Sequence, residues 1–237
     1  TTSWSSAAGT TSGAAIDEQE LLSLCLSQPP IDALDRATKE RVGGYVRELL
    51  RYNRHTNVYS QSAYTHLPFH VADSVTLGLI ISELATATSG VLDLGSGSGL
   101  PSLLIASVNP DIPVYALESK SRKTRFLEQA GSSLSLPLYK PITANVHEFA
   151  RSNFCNVDFV TAKAFKPLPE VAPIAAACIK ASALMHIPIS EAQIQDMSLQ
   201  DSHLLRRGRF VYYRQHVKAS RSTTKRQSFT RPTPASR

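Results

Sequence analysis

The sequence predicts an α/β fold: a doubly wound, mostly parallel sheet of Rossmann-like type, preceded by an N-terminal helical extension. Three observations carry this reading. From Gly90 onward, short apolar runs suited to buried strands alternate with helical patterns, and strands separated by helices pair in parallel through right-handed crossovers. The first of these runs, Val91-Leu92-Asp93-Leu94, breaks into a turn with glycine at every second position, Gly95, Gly97 and Gly99. Before Gly90 the apolar periodicity is helical.

The elements follow in order. Asp17-Glu18-Gln19-Glu20 ahead of Leu21-Leu22-Ser23-Leu24 starts a short helix with acids at its positive end, and Pro29-Pro30 stops it. A second helix over 34–53 sets Val42, Tyr45, Val46, Leu49 and Leu50 on one stripe. Asn57-Val58-Tyr59 turns the chain, and a third helix over 69–84 carries His70 and Asp73. Strands are expected at 91–94, 113–118, 138–143, 157–162 and 182–188, with helices at 101–109, 121–135, 147–151, 168–180 and 191–200. A strand pair at 203–206 and 209–215 closes the sheet edge. The expected organisation is a disordered segment over 1–15, a helical extension over 16–89, the Rossmann-like core over 90–217 and a basic tail over 218–237.

Composition narrows the function classes. At 237 residues and 42% hydrophobic content the chain can bury one good core. No apolar run reaches the roughly 18–20 residues of a membrane-spanning helix; the longest candidate, around Val75 to Ile81, is flanked by Asp73 and Glu83. Cys25, Cys155 and Cys178 are odd in number, far apart and in no metal-ligand spacing, which points to a reducing compartment without a disulfide frame or metal site. Charge is unevenly divided. All 19 acidic residues lie at or before Asp201, while ten of the 25 basic ones follow it, Arg207, Arg209 and Arg214 among them. A mildly acidic body with a strongly basic end suits a polyanionic partner. An acidic membrane fits less well, because the tail has no amphipathic apolar face. The first fifteen residues are rich in Ser, Thr and Ala, carry no charge and cannot build a core.

The glycine loop holds most of the chemical information. Leu103-Leu104-Ile105-Ala106 restarts an apolar pattern after it, so the turn feeds the first turn of a helix, where free N–H groups face a ligand. A dinucleotide loop would be spaced G-x-G-x-x-G; here the third glycine is Gly99, one residue early, with Leu100 in the place that spacing needs. Asp93, two residues ahead of the first glycine, suits a cationic ligand better than a pyrophosphate. The pattern reads as a loop for S-adenosylmethionine, with a dinucleotide or a purely structural turn as alternatives. Glu118, at the end of the second strand, can accept both hydroxyls of an adenosine ribose, or else serve as a helix-capping acid. Asn145, after the third strand, falls where an adenine would lie, and Lys163-Ala164-Phe165 falls where the methyl group would project.

Read together, Asn57-Val58-Tyr59, His70-x-x-Asp73-Ser74, Asp93-Leu-Gly-Ser-Gly-Ser-Gly-Leu-Pro101 and Glu118-Ser119-x-x-Arg122-Lys123-x-Arg125-Phe126-Leu127 resemble the RsmG (GidB) family of bacterial small-subunit rRNA guanine-N7 methyltransferases. Order and spacing agree through Val146-His-Glu148-Phe149, Lys163-Ala164-Phe165 and Arg209-Phe210-Val211, and the resemblance covers about 40–217. It implies a class I methyltransferase core, S-adenosylmethionine as cofactor, and ribosomal RNA with the small subunit or its assembly intermediate as partner, without metal or membrane. It places the cofactor on Asp93, Gly95, Gly97, Gly99, Leu100, Glu118, Asn145 and Val146, and makes His70, Asp73 and Lys163 the catalytic set. Arg122 and Arg125 join these on the substrate side, with Arg207, Arg209 and Arg214 as further RNA contacts.

The chain departs from the family pattern at four places. Lys163 replaces the Arg of R-A-F, keeping the charge without the planar fork. Asn145 stands where the family has Arg, and Ser102 where it has a second glycine after L-P. His186-Ile187 replaces Lys-Gly after the fifth strand, His186 being read as partly charged near neutral pH. These changes leave room for a second reading, a methyltransferase-like rRNA-binding component or assembly factor that no longer catalyses. The expected setting is a mitochondrial or other organellar matrix.

Overall fold

The computed structural model describes residues 17–220 and 227–229; the segment expected to be disordered, 1–15, lies outside them. Helix α1 (Glu18–Leu26) starts on Asp17, whose carboxylate accepts the Glu20 N–H. Helix α2 (Arg36–Asn53) starts on Asp35, which accepts the Thr38 N–H at 2.9 Å. Each cap satisfies an amide that the first helical turn leaves unpaired. The stripe Val42, Tyr45, Val46, Leu49 and Leu50 is buried. A 3-10 segment, Gln61–His66, runs into α3 (Leu67–Leu84). By length and composition this stretch is apolar enough to cross a bilayer, yet Val71 to Gly78 are all buried, which marks it as a core helix.

Beyond α3 the chain alternates: β1 (Val91–Leu94), α4 (Ser102–Val108), β2 (Val114–Glu118), α5 (Ser121–Ser133), β3 (Tyr139–Thr143) and α6 (Val146–Ser152). A two-residue β4 (Asn153–Phe154) precedes β5 (Phe159–Ala162), α7 (Leu168–Cys178), β6 (Ser182–Ile189) and α8 (Glu191–Asp196). The hairpin β7 (Leu204–Arg207) and β8 (Phe210–Lys218) follows, then β9 (Gln227–Ser228). The main sheet runs β3-β2-β1-β5-β6-β8-β7, parallel from β3 to β6 and antiparallel at β8 and β7. Building outward from β1 in both directions makes the β1/β5 boundary the switch point, where ligands of such sheets bind at the carboxyl ends of the strands.

Side chains alternate between two cores. Val91, Val114, Ala116 and Phe159 face α1 to α5, whereas Leu92, Leu94, Leu117 and Val160 face α6 and α7. The three cysteines are buried. Part of the basic tail lies on the body. Gln227–Ser228 pairs in parallel with Asn153–Phe154, and the Phe229 ring sits 6.0 Å from Phe149 and 6.1 Å from Tyr115. This docking, like the short β4, has no periodic signal in the sequence.

Candidate cofactor and substrate site

Gly95, Gly97 and Gly99 all adopt positive φ, at 72°, 55° and 82°, a region that side chains disfavour. Two of the three are also closed off sterically. A Cβ on Gly95 would lie 2.4 Å from the Phe165 ring, and one on Gly99 would lie 2.5 Å from Leu103. Gly97 is less crowded: a Cβ there would meet the Gly95 carbonyl at 3.7 Å and the tip of Lys123 at 3.8 Å, both ordinary contacts. The turn is pinned from below. Gly95 and Ser96 donate to the Leu117 carbonyl at 2.8 and 3.1 Å, and Tyr45 of α2 donates to the Ser98 carbonyl at 3.0 Å.

Two acids flank this cradle. Glu118 ends β2 with its carboxylate turned to the turn, accepting the Gly97 N–H at 2.9 Å through Oε2 and the Lys120 N–H at 2.9 Å through Oε1. Oε1 also accepts from the Ser119 hydroxyl at 3.4 Å, which leaves Oε2 with a lone pair for a further donor. Asp93 is fully buried, and neither carboxylate oxygen has a hydrogen-bond partner. Burial pushes its carboxyl up to about 7, while the nearby Ser96 and Ser102 hydroxyls act in the opposite direction. An orphaned carboxylate under an open glycine cradle fits a ligand that brings positive charge and donor groups, which S-adenosylmethionine does. Leu100 is buried in the core, so only its backbone can face a ligand.

At the end of β5 the backbone parts two side chains. Ala164 sits at φ 50°, a left-handed conformation that a non-glycine residue holds only when its surroundings impose it. Before it, Lys163 reaches Asp73 of α3, Nζ to Oδ2 2.6 Å. After it, Phe165 turns back over Gly95. The Lys163–Asp73 pair forms part of the floor of a cleft of about 500 Å³, whose lining includes Phe69, His70, Ser190, Arg209 and Phe210. His70 Nδ1 lies 2.8 Å from the Tyr59 hydroxyl. Burial, with the Lys163 charge adding to it, lowers the His70 pKa to about 4, so the ring is neutral at neutral pH. Tyr212 of β8 donates to the Asp73 carbonyl at 2.9 Å and ties α3 to the sheet.

His70, Asp73, Lys163 and Arg209 thus meet in one cleft. Arg122 and Arg125 do not line it; both are exposed on α5. Arg207 binds Glu83 at 2.6 Å instead, and Arg214 is exposed on β8. Arg209 stacks over Phe69 and Phe210, with its guanidinium carbon 5.4 and 5.1 Å from the ring centroids. Asn145 caps α6, its Oδ1 accepting the His147 N–H at 2.9 Å; the amide nitrogen takes no part in that bond. Val146 is the first residue of α6. One expectation needs correcting. His186 is buried rather than partly charged: burial lowers its pKa to about 4, with Arg214 and His216 adding repulsion, and the ring is neutral.

Sequence reasoning gave Tyr59, Phe69, Thr161 and Tyr212 no site role. Tyr59 and Tyr212 earn one only through contacts across the fold, although Tyr59 already stood in a quoted motif. Among the described residues, no group of three or more His, Cys, Asp or Glu side chains is placed to hold a metal ion.

Comparison with known proteins agrees with this geometry. Residues 38–227 match the family model GidB, described as rRNA small subunit methyltransferase G. The ribosomal RNA small subunit methyltransferase G of Halorhodospira halophila is 32% identical over 141 residues, 59% of this chain and 64% of that one. The protein of the same name from Methylibium petroleiphilum is 28% identical over 169 residues, 67% of this chain and 75% of that one. The chain therefore spans less than two thirds of the Halorhodospira relative's length. Among solved structures, a SAM-dependent methyltransferase from Aquifex aeolicus aligns with a TM-score of 0.42 at 13% identity, covering 60% of this chain and 88% of that one. With the family model matching most of its length, the chain belongs to the GidB family, rRNA small subunit methyltransferase G.

Proposed function

We propose that this protein is an S-adenosylmethionine-dependent methyltransferase acting on small-subunit ribosomal RNA, with guanine N7 as the acceptor. The observation that carries the reading is the buried, unpartnered Asp93 carboxylate beneath an open cradle at Gly97. It is joined through the Lys163-Ala164-Phe165 turn to a cleft with a charged floor.

When bound, S-adenosylmethionine supplies a methyl group on a sulfonium cation. The residues present divide the remaining work. Asp93 faces the cationic part of the cofactor, Glu118 accepts ribose hydroxyls, and Gly95 and Gly97 admit close approach of the ligand to the backbone. Guanine N7 carries an exposed lone pair, so no strong base is needed; the enzyme must hold N7 in line with the methyl group and keep water away. A neutral His70 hydrogen-bonded to Tyr59 suits such a site. In this reading Lys163 meets guanine O6 and Arg209 meets a phosphate.

Isotope-labelled S-adenosylmethionine and small-subunit rRNA lacking the modification test the reading directly. The expected product is N7-methylguanosine at one position. Cofactor binding without transfer to any guanine would instead favour the non-catalytic rRNA-binding reading. We also infer an organellar ribosome as the setting, supported by the Ser-, Thr- and Ala-rich, acid-free first fifteen residues; recovery with cytosolic rather than organellar subunits on fractionation would exclude it.

A further inference from the structure

Among the described residues, the buried side-chain atoms without a hydrogen-bond partner are the two carboxylate oxygens of Asp93, the Thr161 hydroxyl and both ring nitrogens of His186. They are not scattered. Asp93 stands opposite Thr161 across β1 and β5, and Thr161 stands opposite His186 across β5 and β6. Register partners project from the same face, roughly 5 Å apart, so the three side chains form one polar row. It lies on the face of α3 and α4, since Val91 and Phe159, two residues earlier on β1 and β5, belong to the core there. None of the three is more than 1% exposed.

Folded proteins rarely leave buried polar groups unpaired, and polar interior sites take ordered water where two or more such groups converge. The row presents carboxylate acceptors at one end, a hydroxyl that both donates and accepts in the middle, and a neutral imidazole with one donor and one acceptor at the other. We propose that Asp93, Thr161 and His186 hold a file of ordered water molecules beneath the glycine turn. Through it Thr161 and His186 act as positioning residues that let Asp93 carry its negative charge toward the cofactor. The second half of this proposal rests on the cofactor reading of the loop.

The surroundings explain why such help is needed. The ionisable groups acting on Asp93 are Glu118 at the end of β2, Lys163 after β5 and Tyr139 of β3. Glu118 is itself an acid and opposes ionisation, and Lys163 is already paired with Asp73. Of the two nearby hydroxyls, Ser96 donates to the Asp93 backbone carbonyl, and Ser102 shares a 2.9 Å hydrogen bond with Tyr139 in which either hydroxyl can be the donor. At the far end burial keeps His186 neutral, with Arg214 and His216 adding repulsion. Thr161 and His186 are the groups in the row that can add to the solvation of the carboxylate, and water is small enough to connect them.

Two measurements test this. The first follows Asp93 titration in the unliganded protein by carbon-13 NMR, which needs no cofactor. Thr161→Val and His186→Leu are expected to raise the Asp93 midpoint by about one pH unit, while Thr161→Ser and His186→Gln, which keep polar atoms in the row, leave it near the wild-type value. The second measures S-adenosylhomocysteine affinity by calorimetry. Thr161→Val should bind about tenfold more weakly below the midpoint, a one-unit shift being a tenfold change, and nearly normally at alkaline pH. A high-resolution crystal structure should show water bridging Asp93, Thr161 and His186. Unchanged midpoints in both apolar variants, or a dry row in that crystal structure, overturn the water file. If the midpoints shift but wild-type protein binds no S-adenosylhomocysteine, the cofactor reading fails and the water file stands.

Discussion

Lys163 Nζ lies 2.6 Å from Asp73 Oδ2, joining the end of β5 to the middle of α3 across the floor of the substrate cleft. Both side chains are largely withdrawn from water, at 18% and 6% exposed, so the pair is held by desolvated charge rather than by a screened surface contact. Because the turn after β5 also carries Phe165 over the glycine turn, this bond couples the cleft to the glycine loop.

Removing one partner of that pair strands the other. Lys163→Met leaves the Asp73 charge buried, and we expect a loss of about 2–4 kcal/mol on urea unfolding, toward the lower part of the range for buried pairs because Lys163 keeps some solvent contact. Lys163→Met combined with Asp73→Asn should recover much of that stability and none of the methyl transfer. A double variant no more stable than Lys163→Met alone would show that the pair contributes little to folding.

The three glycines should not be equivalent. Gly95→Ala drives a methyl group into the Phe165 ring and should lower both stability and S-adenosylhomocysteine affinity. Gly97→Ala makes only ordinary contacts, so its stability cost is limited to the positive φ, about 1–2 kcal/mol, while cofactor affinity falls because the added methyl fills the cradle. Thermal melts beside calorimetry separate the two effects.

The pH dependence of folding has opposed contributions. Asp93 is raised to about 7 in the fold, above its unfolded value near 3.9. Its contribution to stability is full below about 4 and is lost as pH rises toward 7. Asp93→Asn should therefore remove a fall in stability across that window. His70 is lowered to about 4 from about 6.5 unfolded, so its contribution is present above about 6.5 and lost as pH falls toward 4. His70→Gln should flatten that acid-side loss. Denaturant midpoints recorded across the window check both signs.

Arg207 and Arg209 should separate on RNA. Arg207 is paired with Glu83, whereas Arg209 binds the Gln28 side-chain oxygen and stacks on the rings of Phe69 and Phe210, with no ion pair among the described residues. Arg209→Ala is expected to weaken rRNA binding and to reduce the slope of log affinity against log salt by about 1. Arg207→Ala should change both far less. Equal effects would mean that the Glu83 pair opens when RNA binds.

Much of the fold was readable because both periodic signals were strong. β1, β2 and β5 are buried along their whole length and are mostly apolar, and α2 shows a clean stripe. The glycine spacing with Asp93 and Glu118 was legible for the same reason, since a turn this tight admits few residue types. What could not be read depends on register and distance. The Asp93–Thr161–His186 row joins residues far apart in the chain, and neutral His186 follows from its burial, which composition does not reveal. The left-handed Ala164 is imposed by its neighbours, and the docking of Gln227–Ser228 on Asn153–Phe154 is too short to leave a pattern. Arg122 and Arg125 were grouped with the cleft by motif alone, and the fold places them on the outer side of α5.

Calorimetry with S-adenosylhomocysteine on the wild-type protein, Asp93→Ala and Glu118→Ala bears most directly on the site. Saturable one-to-one binding by the wild type, lost or weakened at least tenfold in both variants while each remains folded, is the expected result. Undiminished binding in both variants, or none by the folded wild type, would contradict the assignment of the glycine turn.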